Sequence, residues 1–498
     1  MRRILLVLAV ALPLLAQKPE AEEAYARGLA LLHNFEYEDA EKAFQEAQQL
    51  EPNFAMAYWG EAMAQTHPIW FQQDRDKARA ILNRLGATPA ERLAKARNER
   101  ERDYLRALDV LYGEGEKEAR DFLYADAMAA LHAKDPDDAD AAAFHALAIL
   151  GTAHAGRDFA TYMRAAAILE EVFPANKRHP GVLHYLIHSY DDPQHAPLGM
   201  RAARLYGEVA PNAPHALHMT SHIFIAMGMW DDVVSANRRA IDVTNQQRAA
   251  RGRPSADCGH YPTWLHYGLL QKGRFDDARK ALDACRASAF VENFAAGSPF
   301  DSQRGRLLEY AEMRAQLAAS GLPLTKSDAS ALPAGITTAP KVQFMMAYGD
   351  ALDAARRADA AALKSAAEQM RTLQSQAGSS RGSASNPSDR IRAEVMVQEV
   401  EALELIAAGK RDAAIAILEQ AAKAERAMPI EFGPPIVPKP AAELLGDQLL
   451  AAGRTEDAAA AYRTALERTP GRTRAMEALA QAGKTASAAK TTATPHVH

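Results

Sequence analysis

Only two of the 498 residues are cysteine, Cys258 and Cys285, which excludes both a disulfide-built scaffold and a cysteine-rich metal site. They are not spaced as CxxC. In an oxidising compartment they can pair across a helix–loop–helix stretch; otherwise they stay as two thiols, and the sequence leaves both outcomes open. Aromatic residues are scarce at 7%. Charge of either sign is not in excess: 58 Lys and Arg against 63 Asp and Glu give a formal −5, so a polyanion such as nucleic acid is not an obvious partner. Phosphate-cradling GxxxxGK and the HExxH signature of zinc peptidases are missing, and the one GxSxG match, Gly378 to Gly382, lies in a Ser/Gly-rich stretch rather than on a strand-to-helix elbow. Beyond the N-terminus no apolar run is long enough to span a bilayer.

What is present is apolar and rich in alanine. At 48% hydrophobic residues the chain can bury a large core, and abundant alanine lets helices approach closely. The N-terminus reads as an export signal: Arg2 and Arg3 precede an uncharged apolar run, Ile4 to Ala16, with cleavage expected after Ala16. No cysteine follows to carry a lipid. A periplasmic or secreted protein without a stable membrane span after cleavage is therefore expected.

The interior repeats itself. Residues 21–54 place Tyr25, Gly28, Leu32, Phe35, Tyr37, Ala40, Phe44 and Pro52 along two amphipathic segments joined by a short turn. Related turns recur at Gly228-Met-Trp230, Gly273-Arg-Phe275, Gly409-Lys-Arg and Gly453-Arg-Thr, each soon followed by acidic or small residues. The pattern resembles the tetratricopeptide repeat, and no sustained alternation points to a sheet. The expected fold is all-α, an α-solenoid of tetratricopeptide-like helical hairpins, each burying its apolar face on its neighbours. By composition the chain divides into a signal segment (1–16), repeats (17–318), a Ser/Pro/Thr/Ala-rich loop (319–341), and further repeats (342–482). The latter carry a flexible Ser/Gly-rich insert at 375–389, and a tail expected to be disordered follows at 483–498.

Seven of the sixteen histidines lie between residues 179 and 222. His184 and His188 are four apart, and His215, His218 and His222 stand at i, i+3 and i+7, so each set shares a helix face. Counted back from the repeat turns, His184 lies seven residues before Asp191, His222 six before Gly228 and His266 seven before Gly273. Stacked hairpins would bring His184, His188, His218, His222 and His266 into one row. Neutral imidazoles in a row either ligate a transition metal (zinc, copper or iron) or form a hydrogen-bonded network with Tyr185, Tyr190, Asp191, Asp192 and Ser221. His179, before Pro180, reads as a helix start, and His33, His132, His145 and His154 read as packing or capping residues. Met219, Met227 and Met229 are expected in the core rather than as soft ligands.

The stretch His179-Pro-Gly-Val-Leu-His184-Tyr-Leu-Ile-His188-Ser-Tyr-Asp191, with His215-Ala-Leu-His218-Met-Thr-Ser-His222-Ile-Phe and Tyr261-Pro-Thr-Trp-Leu-His266-Tyr, resembles a group of exported bacterial tetratricopeptide-repeat proteins. That resemblance implies export and the repeat fold, with the first helix of each pair lining a concave surface, and it implies no reaction. The function expected from the whole is binding of a peptide or protein partner in that groove, with a histidine-lined metal site. The alternatives are a His-ligated metalloenzyme, hydrolase or oxidoreductase, and a metal-sequestering protein.

Overall fold

A computed structural model describes residues 18–289, 303–325, 339–377 and 387–492. The signal segment, most of the 319–341 loop, most of the 375–389 insert and the last six residues of the tail lie outside them. The described residues form 23 α-helices, and strand is confined to two dipeptides, Thr66–His67 and Gln72–Gln73. No described helix is long and apolar enough to cross a membrane.

Most helices pack on their sequence neighbours, and several first helices of successive pairs also touch, such as Pro180–Tyr190 with Pro214–Ala226, as hairpin stacking requires. The turn glycines carry the reversals. Gly228 and Gly273 sit at φ 67° and 66°, where an L side chain is strained. At the turn after Pro340–Arg356 the same backbone is imposed on a residue with a Cβ, Ala358 at φ 54°.

Among the described residues two compact units are distinguished, one within residues 1–67 and 73–127 and the other within 68–72 and 128–498. In the first, Pro19–His33 and Tyr37–Leu50 cross so closely that a Cβ on Gly28 would stand 2.8 Å from the buried Phe44 ring. Only glycine permits this approach. Asp74, Thr88 and Asn98 cap the helices that follow by accepting from the backbone N–H groups of Lys77, Glu91 and Glu101.

The second unit holds the clustered histidines. Its hairpins include Pro180–Tyr190 with Ala196–Val209, Pro214–Ala226 with Trp230–Ala250, and His260–Gln271 with Phe275–Ala289. Proline in the first turn starts both Pro180–Tyr190 and Pro214–Ala226, where the missing N–H costs nothing. Cys258 and Cys285 are buried and joined as a disulfide that ties the entry of His260–Gln271 to the helix after it. Residues 428–440, between Arg411–Ala427 and Ala441–Ala451, are not helical and fold back on these hairpins. A Cβ on Gly433 would stand 2.5 Å from the Trp264 ring. Further along, Trp230 Nε1 donates to the Gly471 carbonyl at 3.0 Å, and buried Arg472 reaches the Tyr267 hydroxyl at 3.3 Å.

Candidate metal centre

The helices Pro180–Tyr190 and Pro214–Ala226 lie in contact, and their facing surfaces carry imidazoles at i, i+4. His184, His188, His218 and His222 are all buried and brought together. Two further histidines join them from helix N-termini: His215, half-buried, at the second position of Pro214–Ala226, and His260, exposed, at the first position of His260–Gln271. The result is two trios, His184 with His188 and His215, and His218 with His222 and His260. Within each trio one nitrogen from every ring lies within 4.8 Å of the others. His266 stands elsewhere: its Nδ1 is 3.0 Å from Gln316 Oε1, and it belongs to neither trio.

The second trio shows how its rings are oriented. His218 Nδ1 is 2.7 Å from Asn237 Oδ1, and the Asn237 amide donates through Nδ2 to the Val233 carbonyl at 2.8 Å. That second bond leaves Oδ1 facing the ring, so His218 Nδ1 must carry the proton. His222 Nδ1 is 2.8 Å from Asp191 Oδ2, a carboxylate that accepts only, so this Nδ1 is protonated too. In neutral rings both Nε2 atoms then present lone pairs, and they face each other at 3.1 Å. Two acceptors in that position repel unless a cation lies between them. In a tetrahedral site with zinc–nitrogen bonds of roughly 2.0–2.1 Å, ligand nitrogens are about 3.3–3.4 Å apart, close to the observed separation.

Burial, reinforced by neighbouring imidazoles, holds His188, His218 and His222 well below the ordinary histidine pKa, and half-buried His215 is displaced the same way. Neutral imidazole is the form that binds metal. The setting is aromatic: His222 stacks between Trp264 and Phe432, with ring centroids 4.6 and 4.8 Å away, and Tyr206 stacks on His184 at 5.3 Å. Asp191 is fixed in turn by the buried Arg157, which pairs with it, reaches Asp192 at 3.3 Å and donates to the His188 carbonyl at 3.1 Å. This carboxylate–histidine pairing is the outer-shell arrangement that locks ligand tautomers.

Other histidines take ordinary roles. His179 caps Pro180–Tyr190, its Nδ1 accepting from the Val182 N–H at 3.3 Å, and His195 Nδ1 lies 2.8 Å from Asp192. His132 and His145 face each other through Nδ1 at 3.3 Å. Of the three methionines expected in the core, Met219 is fully buried, whereas Met227, at the turn, is exposed and Met229 is partly buried.

Sequence reasoning passed over His260 and ranked His215 low, although a signal existed. Both lie thirteen residues before a turn glycine, Gly228 or Gly273, and so occupy equivalent repeat positions. His266 was counted to the right height but not the right side. It lies seven residues before its glycine where His222 lies six, and one residue turns the side chain by about 100°; His184 is not displaced in this way because, counted from the helix starts Pro180 and Pro214, it matches His218, and Asp191 is not the equivalent of the turn glycines.

No protein-family model matches the chain, and no curated protein matches it. Among solved structures it is similar to yeast Tom70, at 12% identity over 94% of this chain and 96% of that one, with a TM-score of 0.34. It is also similar to a human IFIT1 dimer with m7Gppp-AAAA, at 14% identity over 95% and 96%, TM-score 0.37, and to the TPR domain of P58(IPK), at 12% over 94% and 99%, TM-score 0.24. The described residues themselves form an all-α array of packed helical hairpins. Likeness at this level assigns the chain neither ligand nor partner.

Proposed function

We propose that this chain is an exported helical-repeat protein that binds a peptide or protein partner in its concave groove and holds a transition metal, zinc, copper or iron, on His218, His222 and His260. One observation carries the metal reading: two Nε2 lone pairs, their tautomers set by Asn237 and Asp191, face each other at 3.1 Å in a buried, aromatic setting. An extra proton shared between the rings would also relieve the repulsion. It would place a cation among rings that burial already keeps neutral, whereas a metal gains three bonds. All-imidazole donors suit zinc, copper and iron better than calcium or magnesium. Partner binding is supported by the extended surfaces that stacked hairpins offer, and export by the N-terminal sequence.

A metalloenzyme reading draws on one feature, the exposure of His260, which leaves room for water or substrate as a fourth ligand. Sequestration without turnover would use the same ligands.

The test is metal content. The mature chain, without a histidine tag, is incubated with zinc, copper or iron salts, desalted and analysed by mass spectrometry. Tightly held metal is expected in the wild type and none at this trio in His218→Ala/His222→Ala. A wild-type chain that retains no metal refutes the reading.

A further inference from the structure

We propose that the cluster takes a second transition-metal ion, on His184, His188 and His215, so that the repeat array carries two metal sites one hairpin apart. This rests on the reading above for the His218 trio. The construction of the two trios is the same. Each takes two histidines at i, i+4 from the first helix of a hairpin and one from the first turn of the next hairpin's first helix. His184 and His188 on Pro180–Tyr190 meet His215 of Pro214–Ala226; His218 and His222 on Pro214–Ala226 meet His260 of His260–Gln271. Stacking translates one arrangement into the other.

The distances match as well. His184 Nε2 and His215 Nε2 are 3.2 Å apart, against 3.1 Å for His218 and His222. Both separations fit two ligands on one ion at roughly 2.0–2.1 Å bonds. Asp191 serves both trios from outside: its Oδ2 lies 2.8 Å from His222 Nδ1 and 3.5 Å from His188 Nδ1. Tyr206 stacked on His184 and Trp70, its ring centroid 6.2 Å from that of His215, supply the aromatic wall that Trp264 and Phe432 supply next door. With three imidazole nitrogens and neither thiolate nor inner carboxylate, this position selects a borderline ion, the class to which zinc and copper belong.

Zinc is the probe. Equilibrium dialysis of the untagged mature chain against zinc chloride, followed by mass spectrometry, should give two ions per chain. His184→Ala/His215→Ala and His218→Ala/His222→Ala should each give one, and the fourfold variant none, with circular dichroism checking that helicity is kept. One ion in the wild type, still one in His184→Ala/His215→Ala, overturns this inference and leaves the first site standing. No ion in the wild type overturns the reading on which it rests. Should the alanine pair fail to fold, His215→Gln at the half-buried position replaces it. The second binding step should then weaken at least tenfold, and an unchanged two-step isotherm refutes the assignment.

Discussion

Histidines kept neutral by burial make the metal-free protein acid-sensitive by a calculable amount. An unfolded histidine takes up its proton near pH 6.5, while His218 and His222 in the folded chain do so only at much lower pH. Between those limits the unfolded state binds more protons, so stability falls as pH falls. From pH 7.5 to 5.5 each such histidine removes about 1.4 kcal/mol, and the pair roughly 3 kcal/mol. The whole protein does not report this cleanly, because buried Glu309 and Glu425, raised to about 8 and about 7, gain stability over the same descent. A difference isolates it. Urea unfolding of the wild type and of His218→Gln/His222→Gln, both with chelator, is compared at pH 7.5 and 5.5. The wild type should lose roughly 3 kcal/mol more than the variant across that interval. Parallel pH dependence in the two proteins would refute the claim that these rings are held neutral.

Three further outcomes follow from single features. Asn237→Leu removes the acceptor that fixes the His218 tautomer, so zinc affinity should fall about 10–100-fold in a competition titration, with helicity retained. Cys258→Ser/Cys285→Ser opens a loop of 27 residues' separation and should cost about 3.5 kcal/mol by chemical denaturation, weakening zinc uptake at the trio that contains His260. Ala358→Gly relieves an L residue at φ 54° and should raise stability by roughly 0.5–1 kcal/mol, seen as a higher thermal midpoint.

The repeat was legible because its signals are local. Gly228, Gly273, Gly409 and Gly453 announce the turns, and all four adopt positive φ. Small residues such as Gly28 mark the helix crossings. The pairs His184 with His188 and His218 with His222 were legible because i, i+4 spacing survives whatever the neighbouring hairpin does. What spacing leaves out is rotation between hairpins, and this is where His266 parts from the cluster and His260 enters it. Asn237 escaped notice because it lies on a second helix, where its contact with His218 depends on how Trp230–Ala250 packs. Phe432 is further still, on a non-helical stretch whose return to His222 has no periodic signature.

The most direct measurement is an anomalous-difference map from crystals of the zinc-loaded chain, with data collected on both sides of the zinc edge. A peak is expected between His218 and His222, about 2.0–2.1 Å from each Nε2 atom, with His260 turned toward it. A map with no peak there, and His218 and His222 Nε2 still facing each other at about 3.1 Å, would contradict the metal assignment.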